Sequence, residues 1–110
     1  MAMEVELQVD YAADTKYGFV MKDMAQNPLD LTGYTAQLKI LRHRMSDVEL
    51  DVLELGDGIT AEAGKGILWV TFSEERTSGY QWVKGWYRFD ITAPGGDVTR
   101  IAYGPIIIRR

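Results

Sequence analysis

The chain of 110 residues contains no cysteine. That absence removes a disulfide framework, a thiolate nucleophile and any sulfur-ligated zinc site, so stability must come from packing. Histidine is almost as scarce. His43 is the one example and stands between Arg42 and Arg44. A triad or a histidine-based metal centre needs partners that the sequence does not supply, and basic neighbours disfavour a cation, so a surface histidine is expected. No apolar run approaches the roughly 18 residues of a membrane-crossing helix. The N-terminus, Met-Ala-Met-Glu-Val-Glu, lacks a basic segment followed by an apolar one, so neither membrane insertion nor export is expected.

The formal net charge of −4 repels a phosphate backbone unless a local basic patch overrides it. The basic stretches, "LRHR" at Leu41 to Arg44 and the terminal Arg109-Arg110, are short and read as solvated strand ends; nucleic acid is not an expected partner. What the chain does contain is ordinary globular composition, 46% hydrophobic and 25% charged, enough for one core and one domain over residues 1–110. Eleven glycines against three prolines point to many tight turns.

Alternation of apolar and polar residues carries the fold reading. Val5, Leu7, Val9 and Tyr11 alternate with Glu4, Glu6, Gln8 and Asp10, the period-2 pattern of a half-buried strand. Tyr17, Phe19 and Met21 share one parity of a second strand, and "AQNPLDLTG" reads as a loop. In "DLTGYTAQLKI" (Asp30 to Ile40), Asp30 and Thr32 suit a turn bonded to nearby backbone and Gly33 suits a positive φ. Tyr34, Ala36, Leu38 and Ile40 then form one face of a strand. Val48 to Leu55 reads as a strand, Ile59 to Phe72 as a hairpin whose second strand is apolar on both faces, and "SEERTSGY" as one helical turn capped by Ser73 and stopped by Gly79. "KGWYRFDIT" puts Trp86, Arg88, Asp90 and Thr92 on one parity and Tyr87, Phe89 and Ile91 on the other; "APGGD" turns the chain into "VTRIAYGPIII". The sum is an all-β antiparallel sandwich of seven to eight short strands with one short helical turn near 73–79.

No enzyme signature emerges, and no catalytic residue, cofactor or metal ligand is assigned. The acids Asp47, Glu49, Asp51, Glu54 and Asp57 lack the spacing of a calcium loop, "GKG" at Gly64 to Gly66 lacks the helix of a phosphate loop, and Ser73 has no base. The aromatic residues Tyr80, Trp82, Trp86 and Trp69 remain. They are suited to core packing or a protein interface, and alternatively to a stacking platform for sugar rings. In "GPIIIRR", Ile106 and Ile108 share a face with Ile107 opposite, and Pro105 favours an edge or bulged position, so a neighbouring loop or another subunit is expected to cover this strand.

"DLTGYTAQLKI", "GITAEAGKGILWVTFSEERTSGY" (Gly58 to Tyr80), "GWYRFDIT" (Gly85 to Thr92) and "VTRIAYGPIII" (Val98 to Ile108) follow one another in an order that resembles small β-sandwich proteins of tailed bacteriophages and prophages. They are similar to the N-terminal immunoglobulin-like domains of baseplate and tail-associated proteins. The resemblance implies an immunoglobulin-like sandwich with a structural or assembly role in the virion, present in the host cytoplasm during assembly, and no catalysis. It implies docking to other virion proteins and to further copies of the chain as a homo-oligomer. The expected interaction surface is Tyr80, Trp82 and Trp86 with Ile106 and Ile108; the alternative is a carbohydrate-binding module stacking sugars on Tyr80, Trp82 and Trp86.

Overall fold

Leu7 and Val9 of the first alternating segment are fully buried, and the same rule repeats along the chain: every second side chain enters one continuous core. The structure, a computed structural model, describes residues 2–110. It contains strands β1 (Met3–Glu4), β2 (Leu7–Asp10), β3 (Thr15–Val20), β4 (Thr35–Leu41), β5 (Glu49–Leu55), β6 (Gly58–Glu62), β7 (Ile67–Phe72), β8 (Lys84–Thr92) and β9 (Val98–Arg109), with helix α1 (Glu74–Ser78) between β7 and β8. The strands form one sheet in the order β1-β9-β8-β4-β5-β6-β7-β3, with β2 also on β9.

The sheet curls so that its two halves face each other, as the edge-to-face contact of Phe19 on β3 with Phe89 on β8 shows (centroids 4.9 Å apart). It is mixed rather than wholly antiparallel. β1 and β2 run parallel to β9, and β5 runs parallel to β6. The ninth strand arises because the predicted first strand is interrupted at Val5 and Glu6, opposite Gly104 and Pro105 of β9.

That interruption also corrects the expectation for the last strand. β9 is not an edge: β8 covers one side and the N-terminal segment the other. Ile106 and Ile108 are 0% and 2% exposed, packed in the core and paired in register with Leu7 and Val9 of β2. They cannot form a surface in the folded chain. Cover comes from the chain's own start, whose alternating pattern matches that of β9.

The sheet's edges are β3 at one end and β1 with β2, both on β9, at the other, and β2 meets β3 through side chains. The Tyr17 hydroxyl accepts from the Gln8 N–H at 2.9 Å and donates to the Gln8 carbonyl oxygen at 2.7 Å, and Thr15 Oγ1 accepts from the Asp10 N–H at 3.2 Å. Three backbone groups of β2 are thereby satisfied without a further ladder.

The Asp30 to Gly33 turn behaves as its residues dictate. Asp30 Oδ1 accepts from the Thr32 N–H (3.0 Å) and hydroxyl (2.6 Å), Gly33 has φ +80°, and a Cβ at Gly33 would lie 2.9 Å from the Pro94 ring. The turn drives Leu31 into the core, 3% exposed, and delivers Ala36, Leu38 and Ile40 inward along β4. It starts a strand and closes one end of the sandwich.

Candidate functional site

With Tyr87, Phe89 and Ile91 buried, the alternation of β8 forces Trp86, Arg88 and Asp90 outward. Their neighbours across the sheet are fixed by register: Arg88 lies between Lys39 of β4 and Tyr103 of β9, and Tyr103 is in turn opposite Glu4 of β1. The Trp86 and Tyr103 rings lie 6.1 Å apart at 40°. Arg44, from the β4–β5 connection, places its guanidinium 5.3 Å from the centre of the Trp86 ring, a cation–π contact. Arg44, Met45, Trp86, Arg88, Arg100 and Tyr103 together line an open depression of about 260 Å³ on the outer face of the sheet.

The charges in this depression are unevenly matched. Arg100 Nε donates to Asp90 Oδ1 at 2.9 Å, and beyond Arg88, Lys39 pairs with Glu49 at 3.4 Å. Among the described residues no carboxylate lies within ion-pair distance of Arg44 or Arg88. The Nε of Arg88 is closed off from solvent and has no acceptor among the described residues. A buried, unsatisfied donor on a charged side chain is uncommon in native proteins, because each such group forfeits its hydration without replacement.

The expected surface residues separate into two places. Trp86 does face solvent and anchors this depression, whereas Tyr80 is only 6% exposed. Tyr80 caps a different cluster, in which its hydroxyl donates to Asp51 Oδ2 at 2.6 Å while Arg76 bonds Asp51 at 2.7 Å and Asp57 at 2.6 Å. Burial first, and then the hydrogen bond and charge of Asp51, hold the Tyr80 hydroxyl protonated far above the usual tyrosine range. Trp82 is half-buried and stacks on Tyr80 with centroids 4.8 Å apart and a 34° tilt. Tyr80, Trp82 and Trp86 therefore do not make one sugar-stacking platform: two belong to the Asp51–Arg76 cluster and the third pairs with Tyr103. Trp69 is elsewhere again, lying across Gly18 with its Nε1 donating to Glu62 at 2.6 Å.

Arg44, Arg88 and Tyr103 are the participants that sequence reasoning did not single out. A signal for Arg88 was present, since it shares the parity of Trp86; nothing in the sequence announces that Tyr103 lies one strand away or that Arg44 folds back over the indole. Elsewhere, Asp51 and Asp57, which a calcium reading would have used, are committed to Arg76. Among the described residues no group of three or more His, Asp or Glu side chains is placed to hold a metal ion.

No family model matches this chain, and no curated protein matches it by sequence. Solved structures do. The chain is similar to Tim-1, at 10% identity and a TM-score of 0.52, covering 99% of this chain and 95% of that one. It is also similar to the extracellular domains 3–5 of Drosophila OTK, at 13% identity and a TM-score of 0.41, covering 96% of this chain and 33% of that one. The likeness to Tim-1, taken with the curled nine-stranded sheet, makes this chain an immunoglobulin-like β-sandwich.

Proposed function

We propose that the chain is a non-catalytic structural or assembly protein of a tailed bacteriophage or prophage particle, working by docking to other virion proteins and to further copies of itself. The observation that supports docking is the outward face of β8 and β9, where Trp86 and Tyr103 stand with Arg44 and Arg88 on a stiff sheet. Tryptophan, tyrosine and arginine are the residue types that dominate binding energy at protein interfaces, and a rigid backbone beneath them lowers the entropy lost on association. The virion setting rests on the ordered resemblance of the Asp30–Ile40, Gly58–Tyr80, Gly85–Thr92 and Val98–Ile108 segments to phage tail and baseplate domains.

Mass spectrometry of purified particles from the host strain tests the setting, and light scattering across a concentration series tests self-association. The chain is expected in the particle or in assembly intermediates. A protein absent from both, and monomeric at every concentration, overturns the reading.

A further inference from the structure

The depression around Trp86 has a charge pattern that specifies more than docking in general. The whole chain is acidic, yet among the described residues two arginines here, Arg44 and Arg88, have no carboxylate partner. Building on the docking reading above, we propose that this face takes a carboxylate-bearing segment of a partner protein, an Asp- or Glu-rich loop or tail. A carboxylate meeting the two terminal nitrogens of Arg88 end-on would accept from both in a bidentate pair, with Nε lying behind them out of solvent's reach. Trp86 and Tyr103 flank that position and offer apolar contact to the partner's side-chain stem, and Arg44 over the indole adds a second positive charge.

The surroundings argue for protein carboxylates over a nucleic-acid backbone. The positive area is small and bounded by acids: Asp90 bonded to Arg100, Glu49 bonded to Lys39, and Glu4 in register beside Tyr103. A phosphate chain, with its closely repeated charges, would run from the arginines directly onto these carboxylates. One or two localised carboxylates fit between them.

The test uses the full chain and a fluorescein-labelled hexaglutamate peptide, with a hexaglutamine peptide as the neutral control and a labelled single-stranded DNA 12-mer as the polyphosphate arm. Fluorescence anisotropy at low salt is expected to show binding of hexaglutamate and none of hexaglutamine. Arg88→Gln and Trp86→Ala should each weaken that binding by about tenfold or more, the loss of a charge-assisted pair or of its apolar flank. Arg109→Gln, which removes a cation paired with Asp10 six residues along β9 from Tyr103 and outside the depression, should leave it unchanged. Arg44→Gln, in an exposed connection, provides the same reading if Arg88→Gln fails to fold. Absence of binding, equal loss in Arg88→Gln and Arg109→Gln, or tighter binding of the DNA overturns the assignment. Self-association of the unmodified chain that Trp86→Ala abolishes also overturns it, since a second copy then occupies the face. A protein present in particles but indifferent to hexaglutamate sinks this assignment while leaving the docking reading in place. Arg88-dependent binding by a protein absent from particles upholds it and sinks the virion setting.

Discussion

The carbonyl oxygen of Val5 lacks the partner that a regular sheet would give it. Val5 N–H donates to Tyr103 O at 2.9 Å, so the next bond of a parallel ladder would run from the N–H of residue 105 back to Val5 O. Residue 105 is proline and has no N–H. The fully buried Tyr87 fills the gap, its hydroxyl donating to Val5 O at 2.6 Å. Tyr87→Phe is accordingly expected to lower stability by about 1–3 kcal/mol, the cost of an unsatisfied buried acceptor, as measured by urea unfolding. Pro105→Ala in that background returns an N–H to the strand and should recover part of the loss; strict additivity of the two changes would show that they do not share the Val5 carbonyl. Tyr80 and Tyr87 also set an alkaline limit. Burial is the main cause of both upward shifts, so the folded chain keeps two phenolic protons that the unfolded chain releases near the ordinary value of 10.0. Their contribution is complete below that pH and is lost as pH rises above it. Unfolding free energy should hold level from about pH 7 to 9 and fall above about pH 10, and Tyr80→Phe should make the fall shallower.

At the scale of elements, the strands were legible because one side of each is dry. Alternation predicted β2 and β4 with the correct residues inward and separated the two parities of β3 and β8, and Ser73 and Gly79 bracket α1 as capping chemistry requires, with Ser73 Oγ accepting from the Arg76 N–H at 3.1 Å. What alternation cannot report is which strand lies alongside which. Ile106 and Ile108 looked exposed because their cover, β2, lies at the opposite end of the chain. Tyr80 looked exposed because its polar partner, Asp51, comes from β5. The candidate site was legible to the same limited degree: the outward parity of Trp86 and Arg88 is local, whereas their meeting with Tyr103 and Arg44 is set by sheet register and a loop. Between β3 and β4, the Asp30 turn is a local device whose strength can be read by titration. The Thr32 hydroxyl, and then its backbone N–H, hold the Asp30 carboxyl below its ordinary 3.8. That support is present above the ordinary value and is lost as pH falls through the lowered one. Thr32→Val should move the Asp30 midpoint upward toward 3.8 in a carboxyl-carbon NMR titration, and an unmoved midpoint would remove the hydroxyl from the account.

For the whole molecule, the question is which boundary of the sandwich is open to other proteins. A sheet with two free edges would invite strand addition, and an assembly protein could use either its edges or its faces. Here the edge of β2 is occupied from within: both backbone groups of Gln8 are bonded to the Tyr17 hydroxyl, and the Asp10 N–H is bonded to Thr15. The face around Trp86 is the contrasting case, where Arg44 and Arg88 have no carboxylate partner among the described residues. Docking by face and protection by edge then make separable predictions. Tyr17→Phe deletes the hydroxyl but keeps the ring, leaving the Gln8 N–H and C=O to water or to a foreign strand. Its Gln8 amide should exchange with solvent faster than in the unmodified chain, and light scattering should show slow, salt-insensitive aggregation that is absent before the substitution. Association through the arginine-bearing face should instead weaken as salt is raised, because its charges are partly exposed and are screened over roughly 10 Å at 0.1 M. If Tyr17→Phe left Gln8 exchange and aggregation unchanged, edge closure by side chains would lose its role. If it abolished a salt-sensitive association, the partner would be meeting the edge and not the face.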